Sequence, residues 1–342
     1  MSKKNLKDYF PVIRTREEVV NEIQTNPKLK SIYEEHPPEE WEEFIDFCTG
    51  VRGVKMLYDS FFKEVFNPEY APERLGKLLS IILGQKVKIL QVLPNDSTRI
   101  SDESALLVTD IVVELEDRSI VNVEVQKIGY MFPGERAACY SADLLLRQYK
   151  RIRDEKKKLF TYTYIKPVYT IVLFETSPSE FKRFGKEYFH HVRHQSDTGM
   201  EIELLQEYYF ICLDLFKEKL QNEGVTCDRD AWLAFLCEDD PDVVIDLITK
   251  YPEFKPLYEE VYRLCLNMED VMGLFSEELR VLDRNTAQFM IDEMQKEVDK
   301  YKFLSQEQGE QIVQKDEQIA QQGEQIAQLK EKLKKYEEIN EK

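Results

Sequence analysis

Apolar residues change their spacing several times along the chain, and each change predicts a different kind of element. Residues 1–50 are acidic and have helical spacing, which returns between residues 75 and 82 before a stop at Gly84. Short β-rich runs predict strands at 87–93, 106–115, 120–126 and 167–174, and a helical pattern lies between the last two, at 135–158. This order predicts a mixed α/β fold with a central sheet flanked by helices.

The remaining residues predict a helical accessory region at 205–298 and a heptad-repeat tail at 299–342. Glu-Gln-Ile recurs every seven residues, which places Ile312, Ile319 and Ile326 on one stripe of a helix. A coiled coil needs a second set of apolar positions in each heptad, and here Lys315 and Gln322 occupy two of those positions. Two interpretations stay open: a marginal coiled coil that forms a homodimer, and a solvated single helix. With 1–50 as a helical lead-in and 51–204 as a core, four segments are predicted.

Charge is divided unevenly along the chain, whose formal net charge is -18. Residues 51–195 carry 23 Lys and Arg against 19 Asp and Glu, and the rest carry 24 against 46, so the acidic excess lies outside the predicted core. The six cysteines are scattered without a CxxC pair, and no run of apolar residues is long enough to span a membrane. We therefore expect a soluble, cytoplasmic protein with free thiols, and the three histidines at 190, 191 and 194 in a surface loop.

Two of the predicted strands enclose acidic residues. In the strand at 120–126 the valines alternate with Asn122, Glu124 and Gln126, so these three polar side chains share one face. If a three-residue turn at 116–118 closes a hairpin, facing residues have numbers that sum to 234, which sets Asp110 across from Glu124. A two-residue turn would make the sum odd and separate the two acids.

Neighbouring carboxylates repel each other, and burying one without a partner costs several kcal/mol. A divalent cation removes both problems, because Mg²⁺ binds one or two carboxylates together with waters and substrate phosphates. The alternative is structural: Asp110 caps a strand end, and Glu124 pairs with a Lys or Arg at a sheet edge.

Several ordered blocks resemble the PD-(D/E)xK nuclease superfamily, and within it the recombination-promoting nuclease and putative transposase (Rpn) family. The resemblance runs from about Met56 to Phe174. Its marks are the segment 59–63, Asp110 on one strand, the run 124–126 on the next, Arg136 with Tyr140 and Ser141, and the strand 167–174.

This resemblance implies that Asp110 and Glu124 bind Mg²⁺ or Mn²⁺, with the backbone carbonyl of Val125 completing the inner shell. Gln126 stands where the superfamily usually has lysine, and glutamine supplies no charge to the reaction. Lys63 is the candidate for a displaced positive charge, and Asp59 for a further acid. For Asp59, an ordinary capping or surface role is the competing interpretation.

The implied function is metal-dependent cleavage of DNA phosphodiester bonds, associated with recombination or transposition. We expect a basic helix to contact the DNA backbone through Arg136, Tyr140, Arg147, Lys150, Arg151 and Arg153. Arg136 and Tyr140 could equally brace the sheet. Two alternatives remain: a catalytically degenerate nuclease fold that binds DNA or protein, which Gln126 keeps open, and a helical scaffold assembled through residues 299–342.

Overall fold

Helices pack around a mixed β-sheet in the computed structural model, which describes residues 4–93, 111–127, 133–200, 202 and 204–340. Side chains are described for the same residues except Asp59, Ser60 and parts of the last helix. The strands are β1 (Ile89–Val92), β2 (Ile111–Leu115), β3 (Ile120–Gln126), β4 (Val168–Phe174), β5 (Phe189–Val192) and β6 (Gln206–Cys212).

Helices α1 (Arg16–Thr25), α2 (Pro27–Tyr33), α3 (Pro38–Cys48), α4 (Asp59–Val65) and α5 (Pro72–Leu83) precede or flank β1. The others are α6 (Pro133–Lys156), α7 (Ser179–Lys182), α8 (Leu213–Glu223), α9 (Asp228–Cys237), α10 (Pro241–Lys250), α11 (Lys255–Leu264) and α12 (Met268–Asn340). Gly84 ends α5 at a φ of 67°, a left-handed conformation that glycine adopts without steric cost, so the predicted stop is confirmed.

Among the described residues the strands form one sheet in the order β1-β2-β3-β4-β6-β5. The pairs β1–β2, β2–β3 and β5–β6 are antiparallel, whereas β3–β4 and β4–β6 are parallel. The parallel pairing of β3 with β4 requires a crossover, and the long helix α6 supplies it. The predicted mixed α/β fold is therefore confirmed.

The β2–β3 hairpin has the predicted register. Ile111 faces Val123 and Val112 faces Asn122, so the numbers of facing residues sum to 234. The turn is closed by a hydrogen bond of 2.9 Å from the Leu115 N–H to the Ser119 carbonyl, which leaves three residues in the loop. Arg118 has a φ of 73° and provides the left-handed residue of this turn.

The two faces of the sheet pack against different groups of residues. On one face Val113, Val121, Val123 and Ile171 join the main core, which also contains residues of the lead-in and of α8–α12. On the other face, where Asn122 and Glu124 lie, Leu144 of α6 packs against a small cluster formed by Val112, Ile120 and Val168. The predicted segments 1–50, 51–204 and 205–298 all contribute to the main core.

Two expectations from the sequence were wrong in this part of the chain. Residues 206–212 were expected to be helical, but they form β6, a strand in the interior of the sheet. A strand covered on both faces lacks the alternation of apolar and polar residues that identifies strands. The expected histidine loop is also partly a strand, because His190 and His191 belong to β5, where His191 stacks on Tyr209 and contacts Glu207 at 2.7 Å.

The chain divides into two compact units, residues 1–286 and 287–342. The second unit is helical, which agrees with the predicted heptad pattern. Its apolar side chains at Ile312, Ile319 and Ile326 are 60%, 65% and 53% exposed, so in a single chain this stripe faces solvent. The coiled coil itself stays a prediction. No helix in the described part of the chain is long and apolar enough to cross a membrane.

Candidate functional site

Glu124 lies near the carboxyl end of β3 with its side chain only 4% exposed. One of its oxygens, Oε1, accepts a hydrogen bond of 2.8 Å from the side-chain amide of Asn122, two residues earlier on the same face. Asn122 is itself fully buried. This bond sets the orientation of both groups, because the opposite orientation of the amide would point its oxygen at the carboxylate.

Three side-chain oxygens around Glu124 have no hydrogen-bond partner among the described residues. They belong to Asn122 (Oδ1), Gln126 (Oε1) and Thr170 (Oγ1), and all three residues are buried. Asn122 and Gln126 flank Glu124 along β3, each about 7 Å away along the strand, and Thr170 faces Asn122 from β4. Buried oxygens of this kind normally have partners, so the face is suited to a ligand that donates hydrogen bonds.

The beginning of α4 lies beside the carboxyl end of β3. The ammonium group of Lys127, the residue after β3, lies 4.4 Å from the centre of the Tyr58 ring, and Tyr58 immediately precedes α4. Lys55 lies 3.8 Å from Glu175, which follows β4. These contacts bring the segment before α4 to the strand ends where Gln126 is found.

The predicted metal ligands are only partly described. Asp110 lies outside the described residues, and the same holds for the side chain of Asp59, whose backbone opens α4. Lys63 and Val125 are described and half-buried, and both make interactions with their surroundings. Within the described part of the chain, no group of three or more His, Cys, Asp and Glu side chains could hold a metal ion.

The residues present nevertheless fit a hydrated divalent cation. Glu124 provides a buried carboxylate, which is a ligand type that Mg²⁺ prefers. The three oxygens that lack partners in the described part of the chain can accept hydrogen bonds from the waters of the ion. Mg²⁺ retains several of its waters in protein sites, so a site with one or two carboxylates and several neutral acceptors matches its chemistry.

The cationic side chains of α6 fall into two groups: some form ion pairs with carboxylates, and others are exposed to solvent. Arg147 forms an ion pair of 2.9 Å with Asp143, and Arg151 one of 2.7 Å with Glu114, so both guanidinium groups already contact carboxylates. Lys150 and Arg153 are exposed. The helix therefore presents to solvent only part of the positive charge expected from its sequence.

Near the amino end of α6, Arg136 donates a hydrogen bond of 3.2 Å to the hydroxyl of Tyr140, and its guanidinium lies 5.8 Å from the centre of that ring. Tyr140 is buried. Arg136 is half-buried against the tyrosine, and its contact with DNA stays a prediction.

Glu114 was not identified from the sequence. Its side chain is 1% exposed and is held by Arg151, by Arg118 at 3.6 Å and by the amide of Gln91. In the sequence it is a single acid within an apolar run, which gives no sign that Arg151, 37 positions away, joins the nearby Arg118 in contacting it. The bond to Arg151 fixes α6 to the same face of the sheet that carries Glu124.

The chain matches the model of a known protein family. A family model described as "PD-(D/E)XK nuclease family transposase" matches residues 56–293, which is more than two thirds of the chain. Searches of curated proteins and of solved structures found no match. Nucleases of the matched class generally use divalent metal ions.

Proposed function

Because the chain belongs to the PD-(D/E)XK nuclease family transposases, we propose that it is a metal-dependent DNA endonuclease that hydrolyses phosphodiester bonds in recombination or transposition. In this proposal Asp110 and Glu124 bind Mg²⁺ or Mn²⁺, and the carbonyl of Val125 completes the inner shell. Gln126, Lys63 and Asp59 are the further candidates around the reacting phosphate.

The observation that supports the proposal best is the environment of Glu124. A carboxylate that is 4% exposed lies beside three buried oxygens that lack partners among the described residues, and a hydrated cation on this face would satisfy those oxygens. Asp110 directly precedes Ile111, whose facing residue Val123 directly precedes Glu124. If the hairpin register continues by one residue, the two acids face each other.

Each group has a defined task in this proposal. A bound divalent ion would lower the pKa of a water and stabilise negative charge on the phosphodiester. Glu124 would hold the ion, and Asn122 restrains the carboxylate by its hydrogen bond. The amide oxygen of Gln126 accepts hydrogen bonds and thereby orients water, but it cannot provide positive charge.

The exposed cations of α6 would bind the DNA backbone. Lys150 and Arg153 are the candidates with exposed side chains, and contacts of this type carry affinity without reading sequence. Arg147 and Arg151 would have to leave Asp143 and Glu114 in order to bind phosphate. We therefore assign the first pair to DNA contact and the second pair mainly to holding α6 in place.

The decisive experiment is a nicking assay on supercoiled plasmid in the presence of Mg²⁺. Wild type should convert the plasmid to the open circular form, and Asp110→Ala and Glu124→Ala should each abolish the conversion. Glu116→Ala removes an exposed acid from the turn of the same hairpin and is the matched control that should stay active. Equal nicking by wild type and both alanine variants would reject the assignment.

Gln126 favours a second candidate function, a nuclease fold that has lost catalysis and binds DNA. The same assay distinguishes the two functions. Retarded migration of the plasmid in a gel, without nicking by wild type under any Mg²⁺ or Mn²⁺ condition, would favour the binding module over the enzyme.

We also propose that the second unit forms a homodimer. Five exposed aliphatic residues recur at multiples of seven and would form one side of a seam: Ile291, Val298, Ile312, Ile319 and Ile326. In a parallel pair, Glu297 of one copy would face Lys302 of the other across the seam, an attractive contact. Light scattering should give the mass of a dimer for the full chain and of a monomer for Ile319→Asp. A dimer for both would show that the tail does not form the interface.

A further inference from the structure

An exposed group of aromatic and basic side chains lies where α6 ends. We call it the aromatic platform and define it by Tyr149, Phe160, Tyr162 and Tyr164 with the surrounding Lys and Arg of residues 149–164. Tyr162 is 75% exposed and Tyr164 is 41% exposed. Large rings at such exposure in a basic segment are uncommon on a surface that has only to face water.

The chain turns back at Lys157, which has a φ of 50°, and this turn brings the rings together. Tyr149 and Tyr162 are nearly parallel, with centroids 6.2 Å apart and planes 13° apart, and Phe160 meets Tyr149 edge-on at 5.5 Å. The Lys166 N–H donates to the side chain of Gln148 at 2.7 Å, which anchors the end of the loop to α6. The rings are therefore held in place before any ligand binds.

Positive charge surrounds these rings. Residues 149–164 contain six Lys and Arg against two acidic residues, in a chain whose net charge is -18. Arg153 donates a hydrogen bond of 2.6 Å to the Tyr149 hydroxyl, and the Lys156 ammonium lies 5.0 Å from the centre of the Tyr164 ring. Lys150, Lys157 and Lys158 are exposed.

We propose that the aromatic platform binds single-stranded nucleic acid, with an unpaired base stacked on Tyr162 and phosphates beside the surrounding lysines. Flat exposed rings within a cationic surface are the combination that such ligands require, because bases stack on aromatic side chains and the backbone needs neutralisation. In a duplex the bases are already stacked on one another and have no free face. An anionic membrane would be attracted to the positive charge, but it has no planar group that could stack on the tyrosine rings.

This inference rests on the proposed function, which makes DNA the physiological ligand, and it adds the class of DNA: molecules with unpaired bases. The platform belongs to the same helix that covers the Glu124 face, through the contacts of Leu144 and Arg151 with the sheet. The enzyme would then act on DNA that carries frayed, looped or displaced strands.

The test measures binding without cleavage. Fluorescence anisotropy with a labelled oligothymidine of about twenty nucleotides, in EDTA and at fixed salt, should give tighter binding than with a duplex of equal length. Tyr162→Ala should weaken binding to the single strand about tenfold, within the range that loss of one stacked base produces. Tyr162→Phe should keep the affinity, whereas Tyr162→Leu, which keeps an apolar group without a ring, should not.

The matched control is Tyr70→Ala, which removes a tyrosine that is 80% exposed, follows Glu69 and lies outside the basic segment of the sequence. Lys157→Glu should weaken binding and reduce its dependence on salt. Equal affinity of wild type and Tyr162→Ala, equal losses in Tyr162→Ala and Tyr70→Ala, or ring-dependent binding to phosphatidylserine vesicles but not to the oligonucleotide would overturn the proposal. Because EDTA removes the cation, this result is independent of whether the plasmid is cut.

Discussion

Arg151 has two competing roles, and its substitution by alanine separates them. In the sequence it belongs to a basic run that suggests DNA contact, whereas in the structure its guanidinium lies 2.7 Å from Glu114, a side chain that is 1% exposed. Removing one partner of a buried ion pair leaves the other charge uncompensated, which costs about 3–5 kcal/mol. Arg118 and Gln91 still contact Glu114, and the Arg151 side chain is 30% exposed, so we expect a loss of about 2 kcal/mol.

The assay is chemical denaturation of the full chain, followed by far-ultraviolet circular dichroism. Arg153→Ala is the matched control, because Arg153 is exposed and its loss should change the unfolding free energy by less than about 0.5 kcal/mol. Adding Glu114→Gln to Arg151→Ala should recover part of the loss, since no buried charge then remains. Unfolding of Arg151→Ala at the same denaturant concentration as Arg153→Ala would show that the ion pair does not stabilise the fold.

Three further outcomes follow from the described contacts. Asn122→Ala should lower the Mn²⁺ affinity of the protein by about tenfold in calorimetric titration, because Asn122 restrains Glu124, and unchanged affinity would contradict that role. Thr170→Val should raise the unfolding free energy by about 1 kcal/mol, since it removes a buried hydroxyl that has no partner among the described residues; destabilisation would show that the hydroxyl is satisfied. Burial alone raises the pKa of Asp230, but hydrogen bonds from Lys219 and Thr226 prevail and lower it to about 2. Its stabilising contribution is therefore present above about pH 4 and lost as the pH falls toward 2, and Asp230→Asn should lack this component of acid unfolding.

The hairpin shows why part of the candidate site could be predicted. Strand alternation places Asn122, Glu124 and Gln126 on one face whatever the rest of the fold does, and the turn length alone sets the facing residues. Both are local properties of about fifteen residues. The predicted helix over 135–158 is local in the same sense, and it begins and ends within two residues of α6.

The features that the sequence could not predict depend on distant contacts. β6 is an apolar run that local pattern cannot distinguish from a buried helix, and only its pairing with β4 and β5 settles it. Glu114 meets Arg151 across 37 positions of sequence, a contact that follows from tertiary packing, which residue spacing does not encode. The platform rings are a local exception: they lie within residues 149–164, but they meet because Lys157 adopts a backbone conformation that lysine seldom adopts.

In the proposed metal site, Gln126 would affect how the charge of Glu124 is compensated. A lysine at this position would bring a positive charge to the carboxylate and reduce the cost of burying it, whereas glutamine provides only a dipole. The Gln126 side chain is 6% exposed and its oxygen has no partner among the described residues, so it is placed to accept a hydrogen bond from water on the Glu124 face. In the proposed enzyme more of the compensation then falls to the cation. Since a ligand that binds only the folded state stabilises it, glutamine in place of lysine would make the stability of the proposed site more dependent on the metal.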